Sequence, residues 1–383
     1  MDNFIEETPF FTGEQRNLAA RVAGFVARQV ESRAGEEPDT DAQFRFFIAL
    51  LAKTDLLRYA VASAGAATDV RSLCLIREAL SYSSSLADLA FVMQGLGTYA
   101  ISIAAPEHVR DFWLMRAVSG KAIAAFALTE PDAGSDVASI KTTARREGDT
   151  YVINGRKRFI SNAGIADFYT VFARTGTRAD GRPELSCFVV GARMPGFEVR
   201  ERTEMIAPHP IGEIAFQGCR VPAEDRVGEE GEGFSLAMRT LDTFRASVGA
   251  AGCGMARRAL DEAITYAKSR QQFGRTLAEH QMIQEKLAEM ATELDAARLL
   301  VYRAAYLKDA GLERVTREAS EAKLFATEAA GRIIDCAVQI HGGSGLVRGS
   351  VIERLYRDVR ALRIYEGTSE IQKLLIANQL LKE

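Results

Sequence analysis

The sequence lacks the features of several protein classes. Its 48 basic and 51 acidic residues give a net charge of −3, so no basic field would attract nucleic acid. Its four histidines include no pair at i and i+4, and we therefore expect no metal site. The five cysteines are scattered without a C-x-x-C motif, which is typical of reduced thiols in a cytosolic protein.

Membrane and export signals are also missing. No apolar run reaches about 18 residues, the length that favours a membrane-spanning helix. The N-terminus, "MDNFIEETPFFTGEQ", is acidic, and it lacks the positively charged region and the apolar region of a signal peptide. We therefore expect a cytoplasmic protein that does not bind membranes.

Proline is unevenly placed. Six of the nine prolines lie between Pro131 and Pro222, and none follows Pro222. Because proline breaks helices, its absence from residues 223–383 predicts long helices there. The runs "FYTVFA" (168–173) and "LSCFVV" (185–190) are typical of strands. The predicted domains are helical at 1–121, β at 122–232 and helical at 233–383.

Local signals predict where elements turn or stop. Asn154–Gly155 lies between two strand-like runs and predicts a tight hairpin. Gly65, Gly95 and Gly97 predict breaks between N-terminal helices, and Phe273–Gly274 predicts a break between two later helices.

Two helices of the last third show clear patterns. A seam of apolar residues spaced four and three apart predicts one long helix. A second helix is predicted at about 316–340, ending at His341-Gly342-Gly343. The seam residues are Ile283, Leu287, Met290, Leu294, Ala297 and Val301.

The stretch "ALTEPDAGSD" (127–136) leaves a strand and enters a polar bend. Thr129, Ser135 and the amide hydrogens around Gly134 could bind phosphate oxygens. Alternatively, it is a simple Pro-Asp turn in which Asp136 caps the next segment of the chain. The local sequence leaves both interpretations open.

Other stretches are ambiguous in the same way. In "RKRFISNAG" (156–164), Phe159 could lie against a flat ring and Ser161 could hydrogen-bond it, or both could be ordinary strand and turn residues. Near the break at Phe273, Arg270 and Arg275 could pair with phosphate or be solvated charges.

Two stretches near the end of the sequence could bind a ligand, one rich in glycine and one with a carboxylate in a bend. "QIHGGSGLVRG" (339–349) is dense enough in glycine for a backbone to approach a ligand closely, but it is no G-x-G-x-x-G motif. "RIYEGTSEIQ" (363–372) places Glu366 in a bend, which is either a surface turn or a site where the carboxylate meets a ligand.

Taken in order, these stretches resemble the acyl-CoA dehydrogenase family. The resemblance covers residues 120–383 strongly and the first 120 loosely. It implies a multidomain α+β fold: an N-terminal helical domain, a central barrel-like or sandwich β domain, and a C-terminal four-helix-bundle domain. The stretches are "ALTEPDAGSD", "RKRFISNAG", "RVPAEDRVGEEGEGF", "RQQFGRTLAEHQMIQEKLAEM", "QIHGGSGLVRGSVIERLYRD" and "RIYEGTSEIQ".

The resemblance implies an activity in fatty acid metabolism. Members bind FAD, usually form homotetramers (a homodimer is the alternative), and oxidise acyl-CoA to the 2,3-enoyl-CoA. Glu366 would take the α-proton, with flavin N5 receiving the β-hydride and an electron-transfer flavoprotein taking the electrons. A dry pocket would raise the pKa of Glu366 toward the working range. Phe244, at the position where some branches place the base, favours Glu366 as the only base.

The resemblance also assigns the cofactor-binding residues. Thr129 would bind the flavin pyrimidine edge, Ser135 the pyrophosphate, Phe159 the ring face and Ser161 the N5 edge. Four residues would meet the FAD of a neighbouring subunit: Arg270, Phe273, Gln339 and Gly343. Thr368 and Glu370 would contact the adenosine part of FAD, and Leu128 and Gly134 are the remaining predicted cofactor-binding residues.

The acyl-CoA would meet a second set of residues. Asp88 lies in "SSSLADLAFVMQGLG" (83–97), which resembles the helix that floors the family's pocket. It is either a solvent-facing or capping aspartate, or a pocket carboxylate that binds a polar group or takes a proton from an alicyclic acyl group. The other predicted substrate residues are Ser135, Asp242, Arg245, Tyr365 and Gly367.

Substrate identity stays open, because "LLRYAVASAGAATDV" and "MIAPHPIGE" depart from the family pattern. The acyl group could be branched, polar or alicyclic. A dehydrogenase of carrier-protein thioesters and an oxygen-using, oxidase-like relative are the alternatives. A nitroalkane oxidase is disfavoured by Glu366 in place of Asp, and a non-catalytic subunit by the presence of all the site motifs.

Overall fold

The computed structural model describes residues 3–63, 65, 67–312 and 314–382. Within them, eight strands occupy the middle of the chain and helices dominate the two ends, as predicted, with one short two-stranded hairpin between two C-terminal helices. The helices are α1 (Asn3–Glu7), α2 (Gly13–Phe25), α3 (Thr40–Lys53), α4 (Val70–Ser83), α5 (Ser85–Ala104), α6 (Glu107–Val118), α7 (Gly233–Ser269), α8 (Gln281–Asp309), α9 (Thr316–His341), α10 (Val351–Asp358) and α11 (Ser369–Leu380). The strands are β1 (Ala124–Ala127), β2 (Thr143–Glu147), β3 (Thr150–Ser161), β4 (Phe168–Thr177), β5 (Pro183–Gly191), β6 (Phe197–Arg202), β7 (Ile211–Pro222), β8 (Arg226–Val227), β9 (Gln271–Gln272) and β10 (Arg275–Thr276).

The chain forms two compact units. The first unit comprises Met1–Glu36, Asp69–Asp88 and Phe244–Glu383, and the second comprises Glu37–Thr68 and Leu89–Thr243. The three domain limits predicted from the sequence stay a prediction.

The first unit is built on the long helices that the absence of proline predicts. Helices α7, α8 and α9 have 37, 29 and 26 residues. The predicted seam is confirmed, since Met290, Leu294 and Val301 are buried in the apolar core of this unit. The end of α9 is also confirmed, because Gly342 follows it with φ +57°, a conformation that glycine adopts readily.

The second unit contains one large, mainly antiparallel sheet. Its strands lie in the order β6-β7-β3-β2-β4-β5-β8, and β1 pairs in parallel with β4. No pairing among the described strands joins β6 to β8, so the sheet is open and the barrel-like form of the prediction is wrong. A central β domain between helical regions is nevertheless confirmed.

Two glycine-based predictions are wrong. Asn154–Gly155 is no hairpin, because β3 continues through it with an irregularity beside β7. A Cβ on Gly155 would lie 2.5 Å from Thr142 Oγ1, so glycine permits a close strand approach there. Gly95 and Gly97 do not break a helix, since both lie within α5. A Cβ on Gly97 would lie 2.6 Å from that of Ala124, so the helix lies directly against the strand.

One described helix, α5, is long and apolar enough to cross a membrane by length and composition alone. However, 83% of its apolar window is buried within the protein, and buried core helices meet the same criterion. The helix is therefore weak evidence for a membrane span.

Candidate active site

Glu366 lies on a turn of the first unit between a 3-10 helix (Val359–Arg363) and α11. Its φ is +53°, a strained value for a residue with a side chain, and Gly367 follows with φ +93°. The buried Gln372 amide donates to the carbonyl oxygens of Glu366 (3.1 Å) and Gly367 (3.0 Å). Lys323 Nζ also donates to Gly367 O (2.8 Å). These bonds hold the turn in its strained form.

The Glu366 carboxyl lies in a desolvated and charged environment. Burial raises its pKa, while Arg77, Lys323 and Arg245 oppose the rise and the negative charge of Asp88 adds to it. Its Oε2 atom is buried and has no hydrogen-bond partner among the described residues. A carboxylate with a free oxygen and a raised pKa is a better proton acceptor than an exposed glutamate.

Asp88 lies in the same unit and is buried, with 2% of its surface exposed. Both of its carboxylate oxygens accept hydrogen bonds from the Arg77 guanidinium, at 2.8 Å from Nε and 2.7 Å from Nη2. Arg77 Nη1 donates to Ser247 Oγ (2.9 Å). The solvent-facing alternative for Asp88 is therefore wrong, and its carboxylate is a member of an ion pair.

The other predicted substrate residues divide between the units. Tyr365 packs against the core of the first unit, and Arg245 is buried there. Asp242 belongs to the second unit and is partly buried. Phe244 is fully buried and carries no acid or base.

In the second unit, the end of β3 is distorted beside β7. The pairing is irregular between Lys157 and Ile160, Phe159 has φ +54° and Asn162 has φ +66°. The buried Asn162 donates from Nδ2 to Ala124 O (2.8 Å), which fixes the strand end. The Phe159 ring is 50% exposed. The distorted strand thus presents an aromatic face to the outside of its unit.

Ser161 has a partner that the sequence did not reveal. Its Oγ lies 2.9 Å from His209 Nε2. Burial lowers the pKa of His209 to about 4, so the imidazole is neutral at neutral pH. The backbone N–H of Asn162 donates to Pro210 O (2.6 Å), which brings the His209 segment alongside Ser161.

The loop that carries Thr129 is anchored to β3. Buried Lys157 donates from Nζ to Leu128 O (3.1 Å) and to Glu130 Oε1 (2.8 Å). The N–H of Arg158 donates to Thr129 O (2.9 Å). The predicted flavin-binding residues Leu128, Thr129 and Phe159 are thereby brought together.

These residues fit FAD. The hydroxyls of Thr129 and Ser135 make no hydrogen bond within the described part of the chain and remain available to a ligand. A Cβ on Gly134 or Gly343 would meet no atom within 4 Å, so the backbone there is open to a close ligand approach. An exposed aromatic ring beside free hydroxyl donors suits a flat heterocycle with polar edges.

The remaining predicted cofactor residues lie in the first unit. Arg270 precedes the β9–β10 hairpin, whose turn Phe273–Gly274 has φ of +53° and +76°. Phe273 is 94% exposed. Gln339 and Gly343 lie at and just after the end of α9, and both are exposed. The described hydrogen bonds and ion pairs do not connect these residues to Glu366.

The predicted adenosine-binding residues lie where α11 begins. The Thr368 hydroxyl accepts from Ile371 N (3.4 Å) and caps the helix. Glu370 is exposed in the first turn, and hydrogen bonds at the helix start lower its pKa.

Sequence reasoning missed Arg77, Lys323, Gln372 and His209. A usable signal exists for the first two, since each is a charged residue inside an apolar helical stretch, "LCLIREAL" and "AKLFATEAA". Both are fully buried in the structure. Gln372 and His209 carry no such signal, because their partners lie on other segments.

Comparison with known proteins shows the family of the chain. Residues 12–121, 125–219 and 231–381 match the N-terminal, middle and C-terminal domains of acyl-CoA dehydrogenases. The chain is 41% identical over 381 residues to a 3-(aryl)acrylate reductase of Clostridium sporogenes, covering 97% of this chain and 100% of that protein. It is 40% identical over 313 residues to a cyclohexane-1-carbonyl-CoA dehydrogenase of Geobacter metallireducens, covering 81% and 82% of the two chains.

A solved structure is also similar. The glutaryl-CoA dehydrogenase of Mycobacterium smegmatis in complex with FADH2 superposes with a TM-score of 0.89 at 28% identity, covering 98% of this chain and 96% of that one. The chain therefore belongs to the acyl-CoA dehydrogenase family, FAD-dependent oxidoreductases that act on acyl-CoA.

Proposed function

We propose that the protein catalyses α,β-dehydrogenation of an acyl-CoA thioester, with Glu366 as the base that removes the α-proton. One observation carries the proposal: a carboxyl with a raised pKa and an unpartnered oxygen lies on a strained turn fixed by buried side chains. Strain of this kind costs free energy and is typical of functional sites.

The residues of the turn supply two functions. Glu366 accepts the α-proton of the thioester at a carboxylate oxygen. The backbone N–H of Glu366 makes no hydrogen bond to another described residue, so it can donate to the thioester carbonyl oxygen as negative charge develops there. FAD, when bound, takes up the β-hydrogen as hydride.

The second unit supplies the flavin-binding residues in this proposal. Thr129 and Ser135 bind polar edges of the cofactor, Phe159 lies against its ring, and Ser161 is oriented by His209. The first unit contributes Arg270, Phe273, Gln339 and Gly343, which we propose contact the FAD of a neighbouring subunit in a homotetramer. The exposure of the Phe273 ring supports this role.

The acyl group in this proposal is branched, polar or alicyclic, and an electron-transfer flavoprotein takes the electrons. The relative named for cyclohexane-1-carbonyl-CoA supports the alicyclic option. A second relative is named a 3-(aryl)acrylate reductase.

A panel of linear, branched and alicyclic acyl-CoAs tests the proposal. Added anaerobically to the yellow holoenzyme, at least one should bleach the flavin and yield the 2,3-enoyl-CoA. Bleaching by none of them would contradict it. Bleaching by carrier-protein thioesters alone would show that the substrate is a carrier-bound acyl group and not an acyl-CoA. Rapid peroxide formation in air would show that oxygen, and not an electron-transfer flavoprotein, accepts the electrons.

A further inference from the structure

The Arg77–Asp88 pair is buried deep in the first unit. Arg77 on α4 is 0% exposed, and Asp88 on α5 is 2% exposed. Two hydrogen bonds join the guanidinium fork to the two carboxylate oxygens, and a third joins it to Ser247. Because desolvating two charges is costly, such a pair is weak evidence for stability alone and raises the question of another role.

The Arg77 guanidinium hydrogen-bonds the side chain of Tyr365, the residue that precedes Glu366 in the turn. Arg77 opposes the rise in pKa of both Tyr365 and Glu366, and Asp88 adds to the rise in both. The other charges acting on Glu366 come from Arg245 on α7 and Lys323 on α9. Asp88 is thus the one anion among the principal charged neighbours of Glu366 in the described residues.

We propose that Arg77 and Asp88 are positioning residues for Glu366, with Asp88 cancelling part of the positive field that Arg77 imposes on the base. This inference rests on the proposed role of Glu366 in proton removal. Neither residue needs to touch substrate for it to hold.

The physical reason lies in the sign of the neighbouring charges. Three cations without a counter-charge would favour the ionised form of Glu366 and make it a weaker base, because a nearby opposite charge favours the charged form. Arg77 cannot lose its proton, so an anion is the available means of weakening its effect. The bidentate geometry also fixes the guanidinium in a single orientation beside Tyr365.

The proposal predicts opposite changes for two single variants. In a plot of bleaching rate against pH, the acid limb is the fall in rate as Glu366 becomes protonated. Asp88→Asn removes the anion and should move this limb to lower pH by about one unit. Arg77→Gln removes a cation and should move it to higher pH. If the two substitutions only disturbed the packing, they would not be expected to shift the pH profile in opposite directions.

A second readout does not depend on turnover. The protonated carboxyl of Glu366 gives an infrared carbonyl band, assigned by its absence in Glu366→Gln, and its titration should show the same opposite shifts. If Glu366→Gln bleaches like the wild type, the proposed function fails while the infrared titration still tests the coupling. If Glu366→Gln is inactive but neither Asp88→Asn nor Arg77→Gln moves the limb, only the coupling fails.

The matched control is Asp309→Asn. Asp309 accepts from Arg71 Nε (2.7 Å) in the same unit and is not among the principal charges that act on Glu366, so this variant should leave the pH limb unchanged. If Arg77→Gln does not fold, the double variant Arg77→Gln/Asp88→Asn leaves no lone buried charge and should still move the limb upward, since Arg77 has the larger effect. A downward or absent shift there, or equal shifts in both single variants, would overturn the proposal.

Discussion

Two segments of this protein hold strained backbone in different ways. Glu366 in the first unit and Phe159 in the second have nearly the same φ, +53° and +54°. Buried polar and charged side chains, Gln372 and Lys323, hold the Glu366 turn. The backbone around Phe159 is held by strand pairing and by two uncharged side chains, Asn162 and His209.

The difference corresponds to the chemistry proposed for each segment. Burial raises the pKa of the Glu366 carboxyl, and charged neighbours then adjust it, so supports that carry charge affect the base directly. A surface that binds a flat ring needs a fixed orientation, but it needs no charged neighbours. Substitutions at the supporting residues test whether the two segments depend on them in this way.

The largest effect on stability should result from Lys157→Met in the second unit. Lys157 is fully buried and pairs with buried Glu130 at 2.8 Å, and burial lowers the pKa of its ammonium to about 8. The variant leaves the carboxylate buried without its cation and should cost about 3 kcal/mol of unfolding free energy. Urea unfolding measures this, and FAD retention should fall because the Thr129 loop loses its anchor.

Lys141→Met is the control for that variant. Lys141 belongs to the same loop, but its ion pair with Asp132 is largely exposed, and such pairs contribute little. Equal destabilisation by both variants would show that the Lys157–Glu130 pair does not anchor the loop.

Acid should weaken the second unit through His209. Its pKa is lowered in the folded protein to about 4 from 6.5, so the unfolded chain binds more protons between these values. Stability is therefore full above about pH 6.5 and decreases by about 3 kcal/mol as pH falls to 4. His209→Gln should flatten this part of the urea-midpoint profile, and an unchanged slope would show that another group causes it.

In the first unit, Gln372→Leu should release the Glu366 turn. The carbonyl oxygen of Glu366 loses its donor and that of Gly367 keeps only Lys323, which should cost about 1–3 kcal/mol of unfolding free energy. Misplacing the base should slow flavin bleaching by about tenfold or more. Asn378→Leu, at an exposed position of the same helix, should change neither quantity. Normal bleaching in Gln372→Leu would mean that the turn needs no such support.

The smallest effect is expected for Phe159→Gly. Glycine relieves the strain at φ +54° but adds freedom to the unfolded chain, so apoprotein stability should change by about 1 kcal/mol or less. Loss of the ring should raise the FAD dissociation constant by about 2- to 10-fold. Phe159→Ala keeps the strain and loses the ring, so it should bind FAD as weakly as the glycine variant but be less stable.

Composition and motifs predicted the order of helices and strands, and they singled out Glu366. They could not predict the supports, because a partnership such as Lys323 with Gly367 joins residues 44 apart in the chain. The Asn154–Gly155 prediction failed for a related reason. The local sequence suits a turn, whereas strand pairing with β7 decides the conformation.

Replacing Glu366 by glutamine tests the central claim most directly. The amide preserves the shape of the side chain but cannot accept the α-proton. With an acyl-CoA that bleaches the wild-type flavin, anaerobic stopped-flow absorbance should show a loss of rate of about a thousandfold, while the variant stays yellow and folded. Bleaching of the variant at a rate close to that of the wild type would contradict the assignment of Glu366 as the base.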